Sequence, residues 1–374
     1  MLKIAINTRL LRKSTLDGIG WFSYNTISRI VKNNPDIEFH FFFDSVIDKK
    51  FLFADNIIAH NIFPPAKHAL LNVAWSEWGV KRKLKKINPD LYFSLEGMLC
   101  MGWGGKQHTV IHDINFAHHP EFLSRSNRRY YNKYFPKFAK KACRIATVSK
   151  YSKKDIADTY GINPNKIDVV YCGINSFLSP ISDDEKNETR NKYTEGSEYF
   201  LFIGTLSPRK NVLGLLKAFE TYKESDQSGI KLVIAGGTMY RTSEVFEFKS
   251  KMKFSGDVVF TGSLSDSELN KIYNSAMALV FVPFFEGFGI PLIEAMQCGI
   301  PIIASNVTSI PEVVDDAALL VDPFDPDEIA LAMNRISKET SVRQDLVQKG
   351  DARKSFFSWD KTADLLWQSI ERCF

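Results

Sequence analysis

Residues 284–301 constrain this chain more than any other stretch. They follow an apolar run, Met277 to Val282, that predicts a buried strand. The chain then turns through Gly287 and Gly289 and enters a helical pattern that ends near Gly299. Strand, loop and helix in this order are typical of a parallel α/β sheet, which binds ligands at the carboxyl ends of its strands. The stretch therefore predicts an α/β fold with a binding site at this loop.

Two carboxylates border the predicted loop. Glu286 lies before the helix and Glu294 lies inside it, so both can face one pocket. Gly287 and Gly289 let the backbone turn without a Cβ, and their amide N–H groups at a helix N-terminus suit an anion such as a diphosphate. The carboxylates would instead bind neutral hydroxyls, as on a ribose or a sugar. The alternative interpretation is a plain strand-loop-helix unit with two surface glutamates.

The string from Phe284 to Pro301 resembles the E-x7-E signature of retaining glycosyltransferases with the GT-B fold, in particular the large family 4, and the similarity continues to Pro323. In that family the first glutamate contacts the donor sugar and the second contacts the nucleotide ribose. The resemblance implies these roles for Glu286 and Glu294, with Glu286 also catalytic. The donor-binding residues implied in this stretch are Glu286, Gly287, Phe288, Gly289, Ile290 and Glu294.

A pair of cations follows an earlier predicted strand, Tyr199 to Ile203. Gly204 ends this strand, and Arg209 and Lys210 come just before a helical pattern. Because cations at a helix start oppose the dipole, an anion bound between them and the Glu286 loop would explain them better than solvent does. The fork of an arginine suits two phosphate oxygens. The segment also resembles the family's G-x-x-x-x-R/K-K-N motif, which implies that both cations are catalytic and neutralise the donor diphosphate. A solvated pair is the alternative.

Further glycine turns are predicted at strand ends. Gly236 and Gly262 each follow a predicted strand and would rim the same pocket, and the segment from Gly262 to Leu264 resembles the family's base-contacting backbone. In the first half, Gly18 and Gly20 lie in a predicted strand-to-helix loop where backbone can approach phosphate. This loop lacks the third glycine of the dinucleotide fingerprint, which argues against NAD. The resemblance places it near the donor diphosphate and the acceptor.

His112 and Asp113 follow another strand-like run. A lone histidine is more often a hydrogen-bonded structural residue than a catalyst, and the residues alone leave both interpretations open. The string resembles the family's segment that ends in His-Asp, which implies that His112 faces the donor sugar as a catalytic residue and that Asp113 helps to hold the loop. The following residues, 119–121, resemble those of mannosyltransferase-like bacterial members.

The length of 374 residues suits two domains rather than one core. A polar stretch from Ser179 to Ser197 separates two series of alternating strand and helix patterns. With the resemblance, this predicts two Rossmann-like domains facing across a cleft: an N-terminal acceptor-binding domain, residues 1–175, and a C-terminal nucleotide-sugar-binding domain, residues 176–357. In this fold the last helix commonly crosses back, so residues 358–374 are expected to pack on the N-terminal domain.

The net charge of +5 conceals two unlike halves. Residues 1–178 contain 27 Lys and Arg against 14 Asp and Glu, whereas residues 179–374 contain 21 against 29. The densest basic cluster, residues 81–86, follows Trp75 and Trp78. One interpretation is a helix that rests on an anionic membrane surface; the other is a sheet-covering helix with a solvated basic end. Because the sequence contains no helix-turn-helix, zinc or RNA-sheet signature, we expect no nucleic-acid partner.

No apolar stretch approaches the roughly 20 residues of a membrane helix, and residues 1–7 have a strand pattern rather than that of a signal peptide. We therefore expect a cytoplasmic protein, peripheral at the inner face of the cell membrane if the basic cluster binds lipid. The five cysteines are odd in number and widely spaced, so reduced thiols are expected rather than disulfides or a zinc site. We expect no cofactor and no metal.

The resemblance implies transfer of a hexosyl group, with retention of configuration, from a nucleotide-diphosphate sugar to a glycan or polyprenyl-linked acceptor in cell-surface polysaccharide synthesis. The mannosyltransferase-like segment favours GDP-mannose over a UDP-hexose as the donor. Two alternatives stay open. A sugar-nucleotide epimerase of GT-B shape needs more acids and bases than His112 and Asp113, and a non-catalytic nucleotide-sugar-binding protein would use the same donor residues.

Overall fold

The computed structural model describes residues 1–12, 16, 18–66, 69–226, 228–238 and 242–374. It divides into two compact units. Unit 1 comprises Met1–Gly173 and Ser358–Phe374, and unit 2 comprises Ile174–Phe357. Each unit has a parallel sheet with helices between its strands, which confirms the predicted α/β class.

Unit 1 contains a seven-stranded sheet of order β3-β2-β1-β4-β5-β6-β7, in which every neighbouring pair is parallel. Its strands are β1 (Lys3–Asn7), β2 (Glu38–Phe43), β3 (Ile57–Asn61), β4 (Leu91–Ser94), β5 (Gln107–Val110), β6 (Arg144–Thr147) and β7 (Ile167–Val169). Its α-helices are α1 (Gly18–Asn33), α2 (Ala69–Ala74), α3 (Lys81–Ile87), α4 (Asn115–His118), α5 (Arg125–Lys141), α6 (Lys150–Tyr160) and the C-terminal α15 (Trp359–Glu371).

Unit 2 contains a six-stranded parallel sheet of order β10-β9-β8-β11-β12-β13. Its strands are β8 (Tyr199–Ile203), β9 (Lys231–Ala235), β10 (Val258–Gly262), β11 (Ala278–Phe281), β12 (Ile302–Ser305) and β13 (Leu319–Val321). Its α-helices are α7 (Asp183–Thr194), α8 (Val212–Ser225), α9 (Ser243–Lys251), α10 (Asp266–Ser275), α11 (Ile290–Gln297), α12 (Ile310–Val314), α13 (Pro326–Lys338) and α14 (Thr340–Lys354).

The central strands are continuous apolar runs because helices cover both faces of a parallel sheet. All residues of β8 and β11 are buried, and β4 is buried throughout. The outer strand β3 was not predicted from the sequence. None of its residues is fully buried, and its apolar run, Ile57 to Ala59, is only three residues long.

The C-terminal helix α15 packs on α1, on the edge strand β7 and on its neighbour β6. Its Ser369 hydroxyl donates to Asp168 at 2.6 Å and bonds the buried His108 ring at 2.8 Å. The helix also brings Cys373 to Cys143, and the two form a disulfide. The expectation that all cysteines are reduced is therefore wrong for this pair. Linear spacing could not reveal the pairing, because the cysteines are 230 residues apart and meet only through α15.

Candidate active site

The candidate site lies at the carboxyl edge of the unit 2 sheet, between β8 and β11. Strand order reverses here, since β9 continues from β8 on one side and β12 from β11 on the other. Open α/β sheets bind ligands at such topological switch points. The loop after β8 carries Arg209 and Lys210, and the loop after β11 carries Glu286. Chain topology thus brings the predicted cations and the first predicted glutamate to one place.

Glu286 is paired with both cations. The Arg209 Nη1 atom lies 2.7 Å from Glu286 Oε1, and Lys210 Nζ forms a close ion pair with the same oxygen. The side chains are 23%, 12% and 10% exposed for Arg209, Lys210 and Glu286, so the cluster is largely screened from water. Lys210 Nζ also lies 4.7 Å from the centre of the Phe281 ring. The anion expected between the cations is therefore Glu286 itself in this structure, and the cluster keeps one net positive charge.

Burial alone would raise the pKa of the Glu286 carboxyl. The positive charges of Arg209 and Lys210 outweigh burial and hold that pKa below its ordinary value. Glu286 is therefore an ionised acceptor at neutral pH. It is suited to bind sugar hydroxyls rather than to donate a proton.

Hydrogen bonds to the backbone fix the loop after β8 against the loop after β11. Arg209 Nη1 donates to the Phe285 carbonyl at 2.7 Å, and the Phe284 N–H donates to the Arg209 carbonyl at 3.0 Å. Asn211 adopts the left-handed conformation, and its amide donates to the carbonyls that follow β11 and β13, at Val282 and Pro323. These bonds fix the turn that carries the cations.

The Glu286 backbone is braced from the segment before α12. Thr308 Oγ1 accepts from the Glu286 N–H at 3.3 Å, and the Ser309 hydroxyl donates to the Glu286 carbonyl at 2.9 Å. The chain then passes through buried Gly287 and Phe288 to Gly289, which caps the N-terminus of α11 at φ +96°. A Cβ on Gly289 would lie 2.8 Å from Leu292, so this turn requires glycine. Ile290, the last of the predicted donor residues in this loop, is the first residue of α11.

Three predicted glycine positions lie at the same sheet edge. The Gly204 N–H donates to the Ala235 carbonyl at 3.0 Å, and the Gly236 N–H donates to the Gly262 carbonyl at 2.9 Å. A Cβ on Gly204 would lie 3.6 Å from Lys210 Cε, so the lysine side chain runs along this glycine. Leu264 follows two residues after Gly262, before α10.

We predict that Gly236→Ala distorts this edge severely. Gly236 has φ +151°, and a Cβ there would lie 2.0 Å from the Gly204 carbonyl oxygen. Because the clash is with backbone, relief requires the turns after β8 and β9 to separate, and we expect a loss of stability of about 3 kcal/mol. Thermal unfolding measures the loss. Gly256→Ala is the control, since a Cβ at Gly256 would have no neighbour within 4 Å; equal melting temperatures for the two variants would contradict the prediction.

Glu294 has a separate set of partners. Tyr273 donates its hydroxyl to Glu294 Oε2 at 2.8 Å, and the Asn175 side chain donates to Oε1 at 3.0 Å. Glu294 as a whole is 5% exposed. Its burial raises the pKa of Glu294 even though both hydrogen bonds oppose that rise. A buried carboxylate held in one orientation is suited to accept hydrogen bonds from the two hydroxyls of a ribose.

The raised pKa of Glu294 predicts a pH-dependent effect of Glu294→Gln on stability. Ionised Glu294 disfavours folding at pH values above its folded pKa, so the substitution should raise the melting temperature at neutral pH. That gain should shrink as the pH falls through the carboxyl range, where the native side chain becomes neutral. Melting curves of both proteins at neutral and acid pH measure it. A gain that is equal at both pH values, or a loss at neutral pH, would contradict the prediction.

The remaining predicted site residues lie in unit 1. His112 follows β5, and its Nε2 donates to the Leu95 carbonyl at 2.9 Å, because a carbonyl can only accept. The His112 ring packs edge-on against Phe22, with ring centres 4.9 Å apart. Gly18 and Gly20 belong to the first turn of α1 rather than to the predicted loop before it. The proposed roles of these three residues in donor binding or catalysis stay predictions.

Sequence reasoning missed four residues that position the glutamates: Asn175, Tyr273, Thr308 and Ser309. All four contact Glu286 or Glu294 through the fold rather than through a motif. Within the described ranges, no cluster of three or more His, Cys, Asp or Glu side chains could hold a metal ion. The expected metal independence stays a prediction.

Two family models cover most of the chain. Residues 17–176 match the model described as "Glycosyltransferase Family 4", and residues 183–353 match "Glycosyl transferases group 1". The chain belongs to glycosyltransferase family 4. The recognition from the E-x7-E stretch is therefore confirmed.

A curated relative of this family 4 chain is O-antigen chain mannosyltransferase B of Escherichia coli. It is 32% identical over 253 residues, which span 67% of this chain and 66% of the relative. The match thus covers slightly less than two thirds of the relative.

Solved structures of other proteins have the same fold as this chain. A sucrose-phosphate synthase from Thermosynechococcus elongatus aligns with a TM-score of 0.79 at 17% identity, covering 100% of this chain and 99% of that one. HepE of Anabaena, solved with UDP and glucose, aligns with a TM-score of 0.76 at 17% identity. The alignment covers 99% of this chain and 100% of HepE. These likenesses support the GT-B fold that the sequence predicted.

Proposed function

We propose that this family 4 protein transfers a hexosyl group, with retention, from a nucleotide-diphosphate sugar to a glycan or polyprenyl-linked acceptor in cell-surface polysaccharide synthesis. The observation that carries the proposal is the buried cluster of Arg209, Lys210 and Glu286 at the switch point of unit 2. The similarity to an O-antigen mannosyltransferase supports mannosyl as the hexosyl group and GDP-mannose as the donor. A UDP-hexose is the alternative donor, and the HepE complex with UDP and glucose supports it.

The cluster suits the chemistry of this transfer. The leaving group is a nucleoside diphosphate, so catalysis requires stabilisation of charge that develops on phosphate. Arg209 and Lys210 would supply it by exchanging part of their pairing with Glu286 for phosphate oxygens. Glu286 would then accept hydrogen bonds from the donor sugar, and Glu294 would bind the ribose. The acceptor hydroxyl would pass its proton to the departing phosphate oxygen on the same face of the sugar.

Donor turnover tests the proposal. The wild-type protein is incubated separately with GDP-mannose, UDP-glucose and UDP-galactose, with a polyprenyl-linked glycan as acceptor, and release of nucleoside diphosphate is measured. We expect release from one donor, with equal rates in magnesium and in EDTA. Absence of turnover with tight nucleotide binding would favour the non-catalytic binding protein, and turnover only with a divalent cation would contradict metal independence.

The basic cluster of unit 1 supports a second part of the proposal, peripheral binding to an anionic membrane. Trp75 is fully buried, whereas Trp78 and Phe63 are 59% and 72% exposed. The two exposed rings, with Arg82 and Lys86, line one groove, which we call the Phe63–Trp78 surface. Exposed aromatic rings beside cations match the interface of an anionic bilayer, where rings enter the headgroup layer and cations pair with phosphates.

Vesicle sedimentation tests this surface. We expect binding to phosphatidylglycerol vesicles and little binding to phosphatidylcholine vesicles, with loss at high salt. Phe63→Ser/Trp78→Ser should weaken binding about 10- to 100-fold, because each ring inserted at the interface contributes roughly 0.7–1.5 kcal/mol. The control is Leu331→Ser, which changes an apolar residue of unit 2 that is 64% exposed. Equal binding by the double variant and the wild type would contradict the proposal.

Among the described residues, no helix is long and apolar enough to cross a membrane. We propose a cytoplasmic location at the inner face of the cell membrane. The Cys143–Cys373 disulfide is at odds with this location, because disulfides are rare in reducing compartments. Thiol alkylation of protein from intact cells tests the location: labelling of both cysteines would show that the pair is reduced there, and protection of both would contradict the cytoplasmic proposal.

A further inference from the structure

Unit 1 has its own polar site at its topological switch point. The strand order of its sheet reverses between β1 and β4, as the order in unit 2 reverses between β8 and β11. Strands β1 and β4 end side by side, with Asn7 opposite Ser94. Two residues beyond these ends lie Arg9 and Glu96. Each unit therefore places a basic residue after one switch-point strand and a glutamate after the other.

Arg9 and Glu96 form a two-point ion pair. Arg9 Nη2 donates to Glu96 Oε2 at 2.7 Å, and Arg9 Nε donates to Oε1. The Asn7 side chain donates to Glu96 Oε1 at 2.7 Å, and Arg9 Nη1 donates to the Asn72 side chain at 3.1 Å. The side chains of Arg9 and Glu96 are 11% and 8% exposed. They are held in fixed orientations, since Arg9 Nη1 also donates to the Ala66 carbonyl at 3.0 Å.

Stability alone does not account for a buried pair of this kind. Removing two charges from water carries a desolvation cost that their attraction often fails to exceed, so apolar side chains of similar volume would stabilise a fold equally well. In unit 2 the corresponding charges lie where a ligand is expected. The position and burial of the Arg9–Glu96 pair therefore favour a binding role.

The charge of the pair indicates the class of ligand. The unit 2 cluster has two cations and one carboxylate, which suits an anionic diphosphate. The Arg9–Glu96 pair has one of each and is neutral, and its carboxylate would repel a phosphate. A hydroxyl both donates and accepts a hydrogen bond, so neighbouring hydroxyls of a sugar match a carboxylate beside a guanidinium. In addition, His112 is bonded to the carbonyl of Leu95, the residue before Glu96.

We propose that the Arg9–Glu96 pair binds the hydroxyl groups of an uncharged sugar, the terminal residue of the acceptor. This inference rests on the proposed function, because an acceptor exists only for a transferase. The class of acceptor is then restricted to glycans or lipid-linked molecules whose terminal sugar carries no phosphate or carboxylate where unit 1 contacts it.

Saturation-transfer NMR on the full chain tests the proposal. The probes are methyl α-D-mannopyranoside, methyl α-D-glucopyranoside and methyl α-D-galactopyranoside at millimolar concentration, with methyl phosphate as the anionic comparison. We expect at least one glycoside to bind the wild type in preference to methyl phosphate. Glu96→Gln should reduce that signal about tenfold, the loss of one hydrogen bond to a charged group. Glu286→Gln should retain the signal, which excludes the donor-sugar site of unit 2 as its source.

Two further variants keep the test decisive. Arg9→Met/Glu96→Leu replaces the pair with apolar side chains and should remain folded even if Glu96→Gln does not. Asp168→Asn is the matched control, since Asp168 pairs with Arg144 in unit 1 away from the switch point. Glycoside binding by the double variant at the wild-type level, or no glycoside binding by the wild type, would overturn the inference. Failure of GDP and UDP to bind the wild type would instead contradict the proposed function, because nucleotide binding concerns unit 2.

Discussion

Replacing Glu286 by Gln is expected to abolish sugar transfer while strengthening the binding of a nucleoside diphosphate. The carboxylate pairs with Arg209 and Lys210, so its removal leaves both cations to the phosphate oxygens. Loss of one negative charge near the phosphates should tighten binding by at least about tenfold, because two charges about 6 Å apart interact by about 3 kcal/mol at an effective dielectric constant near 20. The sugar loses its charged acceptor, and we expect kcat to fall by about 100-fold or more. Calorimetry with GDP or UDP measures the first effect, and nucleotide release from the donor measures the second.

Glu268→Gln is the matched control, because Glu268 belongs to the N-terminal cap of α10 on the surface of the same unit. It should change neither nucleotide affinity nor turnover. If Glu286→Gln bound nucleotide more weakly than the wild type, the carboxylate would not compete with phosphate for the cations. The interpretation of the cluster as a diphosphate site would then be wrong.

Arg209→Ala is expected to weaken nucleotide binding by about 10- to 100-fold, since a charged hydrogen bond contributes about 1.5–3 kcal/mol. The loss in kcat/KM should be larger, about 1,000-fold, because charge on the leaving phosphate increases in the transition state. Arg209 also donates to the Phe285 carbonyl, so the substitution loosens the Glu286 loop. Steady-state kinetics and calorimetry on the same preparation separate the two losses.

Arg209→Lys distinguishes charge from geometry. It keeps the positive charge but not the planar fork, and we expect nucleotide affinity to recover partly while kcat/KM stays low. The control is Arg335→Ala, which removes a half-exposed arginine of unit 2 that lies near Glu339. Wild-type kcat/KM in Arg209→Ala would contradict the role assigned to the guanidinium.

Local sequence patterns located the unit 2 site. The apolar runs before Gly204 and Glu286 predicted strands, and both loops lie at the carboxyl edge of one sheet in the structure. The pairing of Glu286 with Arg209 and Lys210 could not be predicted, because it depends on the adjacency of β8 and β11. Strand order depends on the packing of the whole sheet, so no local sequence pattern indicates it.

The partners of Glu294 could not be predicted either, because they depend on how distant parts of the chain pack together. Tyr273 lies in α10 and Asn175 lies at the start of unit 2, and neither belongs to a motif. The Arg9–Glu96 pair joins residues that are 87 positions apart, and the Cys143–Cys373 disulfide depends on α15. Polar composition placed the hinge near residues 173–180, with the boundary at residue 175, and the units divide after Gly173. Composition changes along a linker, while the last residue of a compact unit is set by its contacts.

Calorimetric titration of GDP, UDP, ADP and dTDP in EDTA, into the wild type and Glu294→Gln, tests the central claim that unit 2 binds a nucleoside diphosphate at the β8–β11 edge. We predict micromolar binding of one nucleotide to the wild type, weakened about tenfold or more in the variant because the ribose loses its charged acceptor. If no nucleotide binds, or if Glu294→Gln binds as tightly as the wild type, the assignment of this site is contradicted.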